Sequence, residues 1–243
     1  MTDIKDQHFL VDEKVIRRMI QEAHVKPTDI VMDIGAGTGN ITRRIPLCRG
    51  IIAVESDSTL ADQLRAIPTV TVLEADALRI PLNADKLISN IPFSIAESIM
   101  YHLFRSNFEI AVLLVPTSFA DKLLAGDSIL SLLAQSFFVI EKKDDVDPAA
   151  LKPVPDTTLC ILVLRKKLPE STKDFFVREL FLQRDKKVKN ALREAYVRWK
   201  KSTKREGEAF ADSLGLSDAL LATEVPHLTK EDYEVIIAAV EKA

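Results

Sequence analysis

The sequence predicts an α/β fold: a mostly parallel sheet whose final strand runs antiparallel, followed by a small all-helical domain. Three observations carry this. Short apolar runs, Ile30-Val31-Met32, Ile51-Ile52-Ala53-Val54, Val70-Thr71-Val72-Leu73 and Ile110 to Val115, recur with room for helices between them. Three of the seven glycines fall in one heptapeptide, Asp33-Ile34-Gly35-Ala36-Gly37-Thr38-Gly39, directly after the first run. Beyond the polar linker Lys166 to Thr172, which contains Pro169, the pattern is helical to the end.

Taken in order, Asp12 to Ala23 reads as an amphipathic helix with Val15, Ile16, Met19 and Ile20 on one face. Ile30 to Met32 reads as a buried strand, the glycine heptapeptide as a turn, and Asn40 to Arg44 as the first turns of a helix. Strands and helices alternate to about Leu164, with Lys86 to Ser89 as a short strand. Phe137 to Ile140 and Leu159 to Leu164 form the final antiparallel pair, joined by the acidic loop Asp144 to Asp156. In the helical tail the pattern breaks near Gly215, and a last helix starts at Thr229, with Asp232 as its capping partner. The expected domains are residues 1–167 and residues 168–243.

A strand, a glycine turn and a helix form a device for holding a nucleoside cofactor, because glycine lets a ligand approach the backbone. The spacing here is Gly-x-Gly-x-Gly, with Asn40 where a dinucleotide fingerprint has its third glycine. The Asp33 carboxylate would repel a pyrophosphate and suits the ammonium of a methionine moiety, which favours S-adenosylmethionine. Alone, the loop also fits a tight turn in an unrelated α/β protein. Glu55 ends the second strand, placed to accept from ribose hydroxyls, and Asp76 follows the third, placed to accept from an adenine amine. Either carboxylate alone would read as a solvated strand end. Carboxylates at three successive strand ends match the edge where open α/β sheets bind ligands.

Asn90-Ile91-Pro92-Phe93 makes the chemistry specific. An exocyclic adenine amine is a poor nucleophile because its lone pair is delocalised into the ring. Acceptors aimed at its two hydrogens draw the nitrogen toward a tetrahedral form. The Asn90 side-chain oxygen and the carbonyl of Ile91 or Pro92 supply them, Pro92 stiffens the turn, and Phe93 offers a face for the base. No strong base is needed, since the nitrogen becomes acidic once alkylated, and rate comes mostly from alignment.

With these residues the chain resembles the KsgA/Dim1 rRNA adenine dimethyltransferases and the related Erm enzymes, over nearly its whole length, as a divergent archaeal-type member. Gln7-His8-Phe9-Leu10 with Asp12 looks like the family's opening motif, which packs over the cofactor. Asp33 to Gly39 looks like its glycine loop, and Asn90 to Phe93 like its catalytic tetrapeptide. Phe176 to Phe181 and Gln183 to Leu192 look like the start of its C-terminal helical domain. The resemblance implies a Rossmann-like methyltransferase sheet and a helical RNA-binding domain. It also implies methylation of adenine N6 in small-subunit rRNA during ribosome maturation. The implied catalytic residues are Asn90, Ile91, Pro92 and Phe93. The implied cofactor contacts are Gln7, His8, Leu10, Asp33, Gly35, Gly37, Gly39, Glu55, Ser56, Asp76, Ala77 and Asn90, with no metal and S-adenosylhomocysteine as product.

Three stretches depart from the family pattern, among them Asp127-Ser128-Ile129-Leu130-Ser131, which stands where a Tyr and an Arg usually precede a Leu-Ser pair. Pro116-Thr117-Ser118-Phe119 stands where a Gln-Lys-Glu type run is usual, and Leu151 stands where Phe opens Phe-x-Pro-x-Pro. Stacking on an aromatic is worth ~1–3 kcal/mol per base, so the Leu151 departure is expected to weaken base packing. These departures favour a non-catalytic assembly factor that binds pre-ribosomal RNA, with S-adenosylmethionine retained as a structural ligand or lost. A third reading is an amino-methylating enzyme with another substrate, such as DNA or a small molecule.

Composition fits a soluble enzyme. At 243 residues and 47% hydrophobic the chain builds a substantial core. No run reaches the ~20 apolar residues of a membrane span, and Met1 to Asp6 is too polar for a signal peptide. Cys48 and Cys160 have no pairing or metal spacing, and His24, His102 and His227 read as surface or packing residues. A cytoplasmic monomer is expected. The net charge of −3 hides an asymmetry: Arg165 to Arg205 holds fifteen Lys or Arg against five Asp or Glu. Beside an adenine-methylating motif this reads as a face for rRNA or a pre-ribosomal subunit, though a Lys-rich helix is often only a solvated surface.

Overall fold

The structure, a computed structural model, describes residues 7–243, so the polar opening Met1 to Asp6 lies outside the described residues. The chain divides into two units, Met1–Leu124 with Val139–Lys166 and Ala125–Phe138 with Lys167–Ala243.

The first unit is built on a seven-stranded sheet. Its strands are β2 (Ile30–Ile34), β3 (Gly50–Glu55), β4 (Val70–Glu74), β5 (Lys86–Asn90), β6 (Ile110–Pro116), β7 (Phe138–Val146) and β9 (Leu159–Lys166), in the order β4-β3-β2-β5-β6-β9-β7. β4, β3, β2, β5 and β6 are parallel neighbours, and β9 runs antiparallel to β6, pairing Val112 with Val163. Ile110 to Val115 is buried at every position, as is Leu159 to Leu164. That continuous burial is what an unbroken apolar run encodes in a strand covered on both faces. The chain steps outward from β2 to β3 and β4, then returns to β5 on the other side of β2. This reversal opens a crevice at the carboxyl ends of β2 and β5, where such sheets bind ligands.

α1 (Glu13–Ala23) confirms the expected amphipathic helix; Asp12 caps it, accepting from the Lys14 and Val15 amides at 2.7 and 3.2 Å. The helix expected from Asn40 does not develop. Only a 3-10 turn forms, Thr42–Arg44, because Pro46 drives Ile45 into an extended conformation. The stretch Asp144 to Asp156 is also not simply a loop. β7 continues to Val146, and β8 (Leu151–Lys152) pairs antiparallel with β1 (Phe9–Leu10), joining Phe9 to Lys152. Local composition carries no sign of a partner that far away in the chain.

The rest of the first unit comprises α2 (Ser58–Arg65), α3 (Ala96–Leu103) and α4 (Thr117–Ala125). At the amino edge of the sheet the Lys86 side chain is fully buried, with Nζ 2.8 Å from Glu109 Oε2. That close ion pair holds the Glu109 carboxyl below its usual range. The pair's stabilisation is complete above the ordinary glutamate pKa and fades as pH falls through the lowered one. Glu109→Ala strands a buried cation and is expected to cost roughly 3 kcal/mol, while Lys86→Met is expected to be neutral or stabilising. Urea midpoints read both, and equal losses from the two variants would contradict this account.

The second unit holds α5 (Ile129–Phe137), α6 (Thr172–Leu182), α7 (Val188–Lys200), α8 (Lys204–Ser213), α9 (Asp218–Ala222) and α10 (Lys230–Val240). α5, which a boundary at residue 167 places with the sheet, packs with these helices. Arg178 of α6 donates to the Ser136 carbonyl at 2.6 Å and lies over the Phe137 ring, and Phe137 meets Phe181 edge-on. Gly207 lets α8 approach α7: a Cβ there would sit 2.7 Å from the Arg193 carbonyl. The last helix is capped as its sequence suggests, with Thr229 and Asp232 in a reciprocal capping box.

Candidate active site

β2 ends in the glycine loop, which is pinned to β3: the Gly35 and Ala36 amides both donate to the Val54 carbonyl, at 2.8 and 3.0 Å. Two of its glycines are required for distinct reasons. At Gly37 (φ +55) a Cβ would press on the Phe9 ring at 3.0 Å. At Gly39 (φ +80) it would collide with Arg43, Ile67 and Leu64, all within 2.9 Å. Gly37 therefore admits the opening segment over the loop, and Gly39 seats the loop against the apolar side chains at the end of α2.

A cavity of about 630 Å³ opens at the carboxyl edge, a size ordinary for a small-molecule site. It gathers Gln7, His8, Gly35, Gly37, Glu55, Ser56, Asp76, Ala77 and Asn90 to Phe93, contributed by five separate segments. Three expected residues lie elsewhere. Leu10 and Asp33 face a separate recess of about 30 Å³ beneath the loop. Gly39 lines neither space.

Asp33 is buried, and its Oδ2 accepts from Thr42 Oγ1 at 2.6 Å. Burial pushes its carboxyl up to about 7, helped by nearby Glu55 and opposed by the Thr42 hydrogen bonds. Glu55 is held firmly. Oε2 accepts from the Gly37 amide at 2.8 Å, and Oε1 from the Ser56 and Asp57 amides at 2.8 and 2.9 Å. Those three bonds leave one of roughly four acceptor positions free for a ligand hydroxyl. Asp76 caps its own turn, accepting from the Leu78 amide at 2.9 Å, and its other oxygen is 3.4 Å from Arg79.

Asn90 is the last residue of β5. Its Nδ2 donates to the His8 carbonyl at 2.6 Å. A carbonyl can only accept, so the amide is fixed with its nitrogen toward His8 and Oδ1 turned away. Oδ1 is buried and has no hydrogen-bond partner among the described residues. Asn90 lines the cavity, and an orphaned, covered acceptor on a residue of its wall marks a place where a donor is missing. The His8 ring stacks on Phe93 with centroids 5.5 Å apart and planes 17° from parallel, and its Nδ1 donates to the Pro153 carbonyl at 2.7 Å.

The departures flagged in the sequence are placed by the structure. Leu151 is fully buried in the core with Ile16, Val112 and Ile161, so it does not form part of the cavity wall. Pro116 ends β6, Thr117 to Phe119 open α4, and none of them lines the cavity either. Phe9, named in the opening motif, also lines the cavity, and sequence reasoning missed Asp57 and Pro153. Asp57 was detectable as the α2 cap, accepting from the Leu60 amide at 3.0 Å. Pro153 was not, since its role depends on the pairing of β1 with β8. Among the described residues no group of three His, Cys, Asp or Glu could hold a metal ion, and no helix is long and apolar enough to cross a membrane.

A model of the family described as ribosomal RNA adenine dimethylase matches residues 5–213. The chain belongs to that family. It is similar to the probable ribosomal RNA small subunit methyltransferase A of Methanosarcina barkeri, with 31% identity over 77% of this chain and 71% of the relative. The protein of the same description from Methanopyrus kandleri is 28% identical over 98% of this chain and 91% of its own length. Among solved structures, a dimethyladenosine transferase from Plasmodium falciparum superposes with a TM-score of 0.64, covering 97% of this chain and 98% of that one at 22% identity. At that identity the likeness speaks for the fold, and it extends through the helices that follow the sheet. Membership of the dimethylase family gives the orphaned Asn90 oxygen its context: it is the first residue of the segment that resembles the family's catalytic tetrapeptide.

Proposed function

We propose that this chain transfers methyl groups from S-adenosylmethionine to N6 of adenine in small-subunit rRNA during ribosome maturation. The observation that carries the reading is the buried, partnerless Oδ1 of Asn90 at the cavity, fixed in orientation by His8. The residues present fit the cofactor. Gly35 and Gly37 keep the loop wall free of side chains, Glu55 retains one acceptor position for a ribose hydroxyl, and Asp76 stands at the wall for the adenine end. Asp33 and Leu10 would serve from beneath the loop and Gly39 by shaping it, with Gln7, His8, Ser56 and Ala77 at the wall.

When bound, S-adenosylmethionine supplies an electrophilic methyl on a sulfonium. The chain's own residues do the rest. Asn90 Oδ1 accepts one amine hydrogen of the substrate adenine. The Pro92 carbonyl already accepts from the Ile95 amide at 3.1 Å, which favours Ile91 as the main-chain acceptor of the second. Phe93 is covered on one face by His8 and packs in part against the core, so the adenine contacts what remains of its ring at the cavity wall. Residues 1–167 hold the cofactor and the chemistry, and residues 168–243 take RNA. The non-catalytic alternative drew on Leu151 and Pro116 to Phe119, and neither lines the cavity.

His8 gives a test of how the site is held. His8→Asn keeps a donor for Pro153 but loses the stack; His8→Phe keeps the stack but loses the donor. Each is expected to lower kcat about tenfold, with little change in KM for the cofactor, because both disturb alignment rather than binding. Wild-type kcat in both variants would exclude this role.

The deciding experiment is transfer of labelled methyl to small ribosomal subunits that lack adenine dimethylation, with mass spectrometry of the product. N6-methylated adenine is the expected result. No transfer, with cofactor and subunit binding both intact, would move the assignment to a binding factor or another substrate.

A further inference from the structure

The basic stretch Arg165 to Arg205 is not uniformly available to a partner. Many of its cations are already spent inside the protein. Arg165 is paired with Glu141, Lys167 with Asp174, Lys189 with Asp212, Arg193 with Glu194 and Arg198 with Glu179, at 2.6 to 3.1 Å. Arg178 is bound to the carbonyls of Ser136 and Lys167.

The turn joining α7 to α8 is different. Lys200, Lys201, Lys204 and Arg205 are all exposed, and among the described residues none has a carboxylate partner. Lys200 lies over the Trp199 ring, 3.6 Å from its centroid. The nearby acids are turned elsewhere. Glu206 accepts from the Thr203 amide and hydroxyl at 2.7 and 2.8 Å, Asp212 is held by Lys189, and Glu194, which also feels the charge of Lys204, is paired with Arg193 at 3.0 Å. Lys204 and Arg205 open α8, the end of a helix where positive charge is unfavourable. Their placement works against the helix, with no ion pair to offset it.

We propose that this turn is a distinct phosphate-binding surface, through which Lys200, Lys201, Lys204 and Arg205 hold the backbone of RNA. The proposal rests on the rRNA reading above and adds where the helical unit grips its partner. The chemistry favours a nucleic acid. Ser202 and Thr203 are the only other residues in the turn, so it lacks the apolar core of a protein interface and the apolar anchor of a membrane-surface helix. Phosphates ask only for charge and donors. Arg184 and Lys187 lie beyond the other end of α7, a helix of 13 residues and therefore roughly 20 Å long, so the turn is a separate cluster.

The test compares wild type with the quadruple variant Lys200→Gln, Lys201→Asn, Lys204→Gln, Arg205→Gln. Asn suits position 201, which is left-handed at φ +52. The control is Lys189→Gln with Asp212→Asn, which removes an ion pair without changing net charge. Binding to purified small-subunit rRNA is measured across a salt series, with melting temperature and methyl transfer in parallel. The slope of log affinity against log salt should flatten by about 3 in the quadruple variant and stay unchanged in the control. Its melting temperature should change little, because the two charges removed from the start of α8 opposed that helix while the two removed from the end of α7 favoured theirs. Equal slopes in wild type and quadruple variant overturn the proposal, as would an equal flattening in the control. Unchanged RNA binding with lost retention on anionic vesicles overturns it in favour of a lipid surface. A wild type that binds RNA with a steep slope but transfers no methyl defeats the reading of function and leaves this surface standing.

Discussion

Asn90→Ala is expected to lower kcat for adenine methylation by roughly 10²–10³-fold, the scale of losing one preorganised polar contact to the reacting group. Affinity for the cofactor should change far less, since the side chain's single hydrogen bond within the protein goes to the His8 carbonyl. The substitution removes two things at once: the acceptor Oδ1 and the donor that pins the opening segment. Asn90→Asp separates them. It keeps an acceptor but sets a carboxylate against the His8 carbonyl, which Nδ2 of the native side chain approaches to 2.6 Å. As a carboxylate it repels the His8 carbonyl and loses the orientation; only the protonated acid, donating its O–H to His8, would keep it. The Asn90→Asp variant should therefore recover only part of the activity. Single-turnover transfer to undermethylated subunits reads both variants. Transfer by Asn90→Ala at the wild-type rate would falsify the assignment of Asn90.

The second large effect concerns pH. Burial pushes Asp33 from its ordinary 3.8 up to about 7. Below 3.8 the folded and unfolded chains both carry the proton, and the group has no effect on stability. Between there and about 7 the unfolded chain ionises while the folded one does not, so stability falls as pH rises, and the loss is complete above about 7. At about 1.4 kcal/mol per pH unit of displacement, that loss is about 4 kcal/mol. Asp33→Asn keeps an acceptor for Thr42 and removes the ionisation. The unliganded variant should therefore match wild type near pH 4 and exceed it by a few kcal/mol at pH 8 in urea unfolding. Parallel pH profiles for the two proteins would rule out Asp33 as the origin. If the methionine ammonium sits against this carboxylate, as proposed, cofactor binding draws out its charge. Binding at pH 6 then releases a fraction of a proton, which calorimetry in buffers of different ionisation enthalpy detects, and Asp33→Asn binds the cofactor more weakly above pH 7.

Much of the site was legible because its residues belong to short local devices. The glycine loop, Glu55, Asp76 and Asn90 to Phe93 each follow an apolar strand, and a parallel sheet aligns all those strand ends on one edge. The register that sets Asp33 beside Ile88 and Glu55 beside Glu74 adds little that the sequence of strands did not already imply. What local pattern could not give was the state of each group. Asp33 reads as an open carboxylate at a loop, and it is a buried one bonded to Thr42. Leu151 reads as a missing stacking surface, and it is a core residue. Both outcomes depend on neighbours from remote parts of the chain.

The sequence by itself determined the order of the main parallel strands, the sheet edge proposed to hold the cofactor and the tetrapeptide on which the proposed chemistry rests, since these follow from apolar periodicity, glycine and proline. Only the tertiary structure decided that β8 pairs with β1, that His8 reaches Pro153 and fixes Asn90, and that α5 joins the helical unit. It also decided which cations of the basic tail are free. The physical reason is common to all four. Contact between residues far apart in the chain, and the neutralisation of one charge by another, are properties of proximity in space, and a linear pattern does not encode proximity.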